Sequence, residues 1–169
     1  MELWDLYGKN RKKIGLVHKR GEPLPKDGYH LTVHVWIRRE DGKFLISQRS
    51  RNKSTYPLYW ECVGGSVLAG EDSLQGAIRE TKEEVGIDLL PQNGKIVSRI
   101  TRGEIDGKRY NDVLDVWLFE WSGEVDLSLA TTDEVETFRW LTVGEILQLD
   151  KQGKFVEGLK YFICNPFIK

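Results

Sequence analysis

Residues 29–38 (YHLTVHVWIR) alternate along their length: Leu31, Val33, Val35 and Ile37 fall on one side, and His30, Thr32, His34 and Trp36 on the other. A period of two predicts a strand with two different faces. Asp41-Gly42 predicts a two-residue hairpin turn, with Phe44-Leu45-Ile46 on a returning strand that reaches Arg49. Apolar segments 3–7 and 14–18 flank Tyr7-Gly8-Lys9-Asn10 and predict a small hairpin or edge ribbon. Residues 21–28 hold Gly21, Pro23, Pro25 and Gly28 and read as a loop, because proline removes a ladder donor. Polar residues 50–57 read as a second loop and 59–63 as a short strand. Further strands are predicted at 95–103, 112–121 and 136–141, with 104–111 a loop around a second Asp-Gly pair, Asp106-Gly107. Thr142 followed by Glu145 forms a capping-box pattern for a helix burying Ile146, Leu147 and Leu149, and 154–164 predicts one more helix. The fold class is α/β (α+β), in one domain over 1–169 whose residues 1–28 form an N-terminal hairpin and extension.

The period changes in 64–87, GGSVLAGEDSLQGAIRETKEEVGI. Asp72 and Gln75 read as a helix start and Gly86 as its stop. On a helical wheel Leu74, Ala77, Ile78, Thr81 and Val85 share one arc, the buried face. Glu80, Glu83 and Glu84 share another, which is predicted to be exposed. Three carboxylates at this spacing repel one another by a few tenths of a kcal/mol per pair, a cost that a hard cation such as Mg²⁺ reverses. The alternative is an ordinary solvated acidic face. Gly64 and Gly65 read as a strand-to-helix loop in which backbone can approach a metal or a phosphate closely. Gly76 lies one turn before Glu80 and reads as leaving room above the carboxylates. Just upstream, Gln48-Arg49-Ser50-Arg51-Asn52-Lys53 sets three cations beside this segment, of which Arg49 and Lys53 are candidate substrate ligands, with a plain solvated run as the equal alternative. Trp36 and Trp117 are aromatic enough to stack on a base, although strand tryptophans more often fill a core.

Composition narrows the setting. The 169 residues carry 25 Lys and Arg against 26 Asp and Glu, a net charge of −1, which disfavours binding of a nucleic-acid polymer. Hydrophobic residues make up 40%, enough for a core, yet no apolar run approaches the ~18 residues of a membrane helix. Cys62 and Cys164 lack partners at zinc spacing and read as plain thiols. Without a signal-peptide pattern at Met1–Asp5, a cytoplasmic location is expected.

The segment from Gly65 to Ile87 resembles the Nudix box, G-x5-E-x7-R-E-U-x-E-E-x-G-U, where U is a bulky aliphatic. Gly65, Glu71, Arg79-Glu80, Glu83-Glu84, Gly86 and Ile87 match it, and Thr81 is the one departure, at the first U. The resemblance implies an α/β/α sandwich with a mixed sheet. It implies that Glu80, Glu83 and Glu84 are metal ligands, assisted by the backbone carbonyl at Gly65, and that Arg79 and Glu71 orient them. It also implies Mg²⁺, with Mn²⁺ as a substitute, and a small-molecule diphosphate as substrate. The reaction implied is hydrolysis of a nucleoside diphosphate linked to X, with Glu83, Glu84 or the later Glu134 as general base. A homodimer is common among such enzymes, but no sequence feature demonstrates one here.

The whole chain is also similar to the branch containing type 1 isopentenyl-diphosphate isomerases, through its H-L-x-x-H strand and the Q-R-S-x-x-K-x-x-x-P-x-x-W run ending at Trp60. Where those isomerases carry a catalytic cysteine, this chain has Gly64 and Gly65. It also keeps the Arg-Glu and Glu-Glu pairs that they degrade. A third reading is a non-catalytic ligand-sensing Nudix domain, which the retained carboxylates disfavour.

Overall fold

The computed structural model describes residues 1–105 and 107–164, without the side chains of 163 and 164. Among the described residues nine strands form one mixed sheet. Strand β3 (Tyr29–Arg38) is its centre, because both of its faces are apolar. It pairs in parallel with β8 (Lys108–Glu120) and antiparallel with β6 (Val63–Ser66). Strand β7 (Gly94–Ile105) extends the β8 side. Strand β4 (Phe44–Arg49) leaves β3 after one residue pair and joins β5 (Trp60–Glu61) and β9 (Val135–Leu141). The hairpin β1 (Leu3–Tyr7) and β2 (Lys13–Lys19) forms the far edge, with Leu6 and Tyr7 pairing to the start of β3.

Helices cover both faces, giving the α/β/α sandwich. Helix α1 (Ser73–Val85) closes the core built on Val33, Val35 and Ile37. Helix α2 (Val143–Lys151) and the short turn α3 (Tyr161–Cys164) close the other, built on Trp36, Phe44, Leu114 and Val116. Both long helices start with the predicted capping boxes, Asp72 with Gln75 and Thr142 with Glu145. Gly86 ends α1 in the left-handed conformation. Among the described residues no helix is long and apolar enough to cross a membrane.

Several expectations change. The turn after β3 has three residues rather than two: Arg39 accepts from Gly42 N–H and pairs with Lys43, and Gly42 takes a positive φ that closes the extra residue. Residues 104–111 are mostly strand, since pairing continues through Glu104↔Arg109 to Ile105↔Lys108. Asp106 of that Asp-Gly pair lies outside the described residues, as does the side chain of Cys164. The segment 154–164 is not one helix. Lys154 and Val156 exchange backbone bonds with Trp60, and only a 3-10 turn at Glu157–Leu159 and α3 are helical. Gly76 does not make room for carboxylates; a side chain there would meet Val67 Cγ2 at 2.7 Å, so it lets α1 lie close on the sheet. Thr81, fully buried at its aliphatic position, satisfies its hydroxyl by donating to Ala77 O at 2.8 Å.

His34 tests the packing under α3. Burial lowers its pKa to about 3 from an ordinary 6.5, so the folded chain keeps it neutral while the unfolded chain protonates below pH 6.5. Its contribution therefore makes the fold weaker as pH falls from 6.5 toward 3. Denaturant unfolding across that range is expected to show a steeper acid loss for the wild type than for His34→Phe; parallel curves would contradict an imidazole held neutral by the fold.

Candidate active site

The site begins where α1 lies against β6. A Cβ on Gly64 would sit 2.5 Å from Val33 O, and one on Gly65 would overlap the Glu80 carboxylate. Both glycines are thus inside a strand, not in a loop as expected, and they are required because helix side chains and neighbouring backbone fill the space. The close approach also covers the glutamate face of α1, which was expected to be exposed. Glu84 is 6% exposed. Thr131 and Thr132 finish the helix end, both N–H groups donating to Glu83 O.

Arg79 organises the loop and the helix together. Its Nε and Nη2 donate to the Glu71 carboxylate at 2.8 and 3.0 Å, and Nη2 also donates to Ser66 O at 2.8 Å. Its Nη1 donates to Glu80 at 3.0 Å and Glu83 at 2.9 Å. Burial opposes ionisation of Glu71, yet donation from Arg79 and Leu68 N–H holds its pKa below the usual range. The N-terminal hairpin fastens the same loop: Leu3 O accepts from Ala69 N–H and the Asp5 carboxylate from Gly70 N–H.

A polar pocket of about 240 Å³ opens between α1, β6 and the 50–59 loop. Glu80, Glu83, Glu84, Glu134, Arg49, Lys53 and Gly65 all line it, so the structure brings these separate predictions to one place. Glu71 and Arg79 stand behind it, and Arg51 points away, paired with the exposed side of Glu136. Arg49 pairs with Glu61 at 2.6 Å and Lys53 with Glu134. Glu84 has no hydrogen bond or salt bridge to its carboxylate among the described residues. Burial, reinforced by Glu61, Glu80 and Glu134, pushes its pKa well up. Burial likewise raises Glu80 to about 6, against the pull of Arg79.

A buried, unpartnered carboxylate among further carboxylates fits a divalent cation, whose charge would offset the repulsion. Among the described residues no three acidic, His or Cys groups stand in a ready-made metal cage, and Arg79 bonds to both Glu80 and Glu83. Sequence reasoning missed Glu2 and Arg20 from the hairpin, Ser66 and Thr132, which share the pocket, and Glu61 on β5. Only the sheet topology brings them near. Trp36 and Trp117 are core residues, the first stacked on Phe162 and the second donating to Ser73 Oγ. His30 stacks on Trp4, away from the carboxylates.

The family model described as NUDIX domain matches residues 28–164. The chain belongs to the Nudix hydrolase family. With that membership comes the enzyme class of a Nudix pyrophosphohydrolase. An uncharacterized Nudix hydrolase of Listeria innocua is 35% identical over all of this chain and 95% of its own length. An isopentenyl-diphosphate Delta-isomerase of Salmonella typhi is 26% identical over 85% of the chain and 78% of its own. Among solved structures, a Deinococcus radiodurans protein superposes with TM-score 0.72 at 20% identity, covering 94% of both chains. A Francisella tularensis bifunctional NMN adenylyltransferase/ADP ribose pyrophosphatase, solved with AMP and a Mn ion, superposes with TM-score 0.61 at 19% identity over 86% of this chain and 42% of that one.

The unpartnered Glu84 generates a stability prediction. Because its folded pKa is raised, the fold loses stability as pH rises from the ordinary 4.5 toward that pKa, and the loss is complete above it. At pH 8 without divalent metal, Glu84→Gln is expected to be more stable than wild type by about 1–3 kcal/mol, read from denaturant midpoints. Adding Mg²⁺ or Mn²⁺ is expected to stabilise the wild type and not the variant. Equal metal shifts in both would remove Glu84 from the ligand set.

Proposed function

We propose that the protein is a divalent-metal-dependent hydrolase that cleaves the diphosphate linkage of a nucleoside diphosphate linked to X, or of a related organic pyrophosphate. The observation that carries this reading is the buried, unpartnered Glu84, set among Glu80, Glu83 and Glu134 with Arg49 and Lys53 in one pocket. Glu80, Glu83 and Glu84, with the Gly65 carbonyl, are the residues to hold Mg²⁺ or Mn²⁺. When bound, such an ion makes water easier to deprotonate and offsets the charge on diphosphate oxygens. Mn in the Francisella structure supports the choice of ion.

The chain's own residues do the rest by position and charge. Arg49 and Lys53 stand where they can take substrate oxygens, at the expense of their pairs with Glu61 and Glu134. Release of Lys53 by substrate would leave the Glu134 carboxylate free to accept a proton from attacking water, and we assign it that role ahead of Glu83, which Arg79 holds. Arg79 and Glu71 fix the helix and loop around the carboxylates. Residues 1–28 belong to the same working unit, since Glu2 and Arg20 line the pocket. The reading carries with it a cytoplasmic enzyme acting on small molecules.

The isomerase reading is weaker in spite of the Salmonella relative. A cysteine side chain at 64 would strike Val33 O, and Cys62 is buried with its thiol pKa pushed well up. The test is a panel of nucleoside diphosphates and triphosphates, dinucleotides, ADP-ribose, nucleotide sugars and isopentenyl diphosphate, with Mg²⁺ or Mn²⁺. Metal-dependent hydrolysis of at least one is expected, reduced about 10²–10⁴-fold in Glu134→Gln and abolished in Glu84→Gln. Isomerisation of isopentenyl diphosphate without hydrolysis would overturn the reading, and tight binding without turnover would indicate a sensing domain.

A further inference from the structure

A second cleft lies beyond β6, sharing Gly64, Gly65 and Ser66 with the carboxylate pocket. Its volume is about 200 Å³, and a neighbouring hollow of about 290 Å³ continues it past Arg102, Lys108 and Tyr110. These volumes suit a sugar-sized group. Its floor is β3 and its wall is the end of the β7–β8 hairpin.

The charges along it do not cancel. Arg102 is neutralised by Asp112 through two hydrogen bonds, and Glu61 by Arg49. Lys108 is different: among the described residues no carboxylate lies within salt-bridge reach of it. Its ammonium donates to Tyr56 Oη at 2.8 Å and sits 4.5 and 5.3 Å from the Tyr56 and Tyr110 ring centres. The hydrogen bond to Tyr56 raises its pKa, so it stays charged. Glu157 is paired with Lys160 and also accepts from Tyr56 Oη at 3.5 Å, so it meets Lys108 only through that hydroxyl.

His34 adds a neutral donor. Trp36 Nε1, which can only donate, gives its hydrogen to Tyr161 Oη at 2.9 Å. Tyr161 Oη also faces the Cys62 thiol, but His34 Nδ1, 2.8 Å away, is the stronger acceptor, and we assign the phenol hydrogen to it. That assignment leaves the imidazole proton on Nε2, on the edge of a ring that lines the cleft.

We propose that this cleft seats X, and that X carries a phosphate monoester on a sugar-sized group, with Lys108 as its cation and His34 Nε2–H as a fixed donor. The proposal rests on the hydrolase reading for its link to the diphosphate, because the two pockets meet only at β6. Lys108 and His34 then determine specificity and take no part in the bond cleavage.

Ribose 5-phosphate is the probe and ribose its control, titrated into the metal-free wild-type protein with ¹⁵N-labelled histidine and followed by NMR. The free protein is expected to show His34 protonated at Nε2 and unprotonated at Nδ1. Ribose 5-phosphate is expected to shift that Nε2–H signal and to bind at least tenfold more tightly than ribose. Lys108→Met, on the exposed hairpin end, should weaken ribose 5-phosphate about tenfold and leave ribose unchanged. Equal affinity for the two probes, indifference to Lys108→Met, a proton on Nδ1 or absence of binding would each overturn the proposal. The readout needs neither metal nor turnover. Failure of the hydrolase reading would appear separately, as no metal-dependent hydrolysis while the probe still binds.

Discussion

The structure depends on how closely α1 can lie on β6. Gly64 lets β6 sit against Val33 of β3, Gly65 accommodates the Glu80 carboxylate, and Gly76 admits the Val67 side chain. With those three positions empty of side chains, one helix serves two purposes. Ala77, Thr81 and Val85 seal the core on β3, while Glu80, Glu83 and Glu84 are driven into a pocket floored by strand backbone. The apolar stripe and the acidic stripe are thus both covered, by different parts of the same sheet.

Burying that much negative charge is unfavourable, and the fold offsets only part of it. Arg79 pairs with Glu71, Glu80 and Glu83 from behind, one cation shared among three carboxylates, and Arg49 and Lys53 answer Glu61 and Glu134 from the front. Glu84 is left without a partner, and burial together with its acidic neighbours raises its pKa. A buried charge without a partner is costly enough that folds rarely keep one except where something else binds.

The second face of β3 is organised by other means. There, the Trp36–Tyr161–His34 chain replaces charge with directed hydrogen bonds, and Arg102 is held by Asp112. The two sides of β6 therefore offer different environments to one ligand, acidic on the α1 side and donor-rich on the other. Tyr56 links them, because it lies in the same loop as Lys53 and touches Lys108.

Much of this was legible in the chain alone. The period of two in 29–38 predicted a two-faced strand, and the capping residues Asp72, Gln75, Thr142 and Glu145 placed both long helices, because these signals depend on neighbours within a few residues. The spacing Gly65–Glu71–Arg79–Glu80–Glu83–Glu84 was likewise enough to single out the family. The exposure of the glutamate face, the strand character of Gly64 and Gly65, and the broken segment 154–164 were not legible. Each depends on an element far away in sequence: β3 and α1 packing on β6, or Trp60 bonding to Lys154 and Val156. A wheel shows which residues share a face but not what covers it. Local sequence determined the helices, the strand and the identity of the acidic residues. Only tertiary contacts decided that Glu84 is buried and Glu80 and Glu83 half-buried, that Arg49, Lys53 and Glu134 join them, and that Glu84 is left without a partner, because burial and charge pairing come from chain segments that local sequence does not connect.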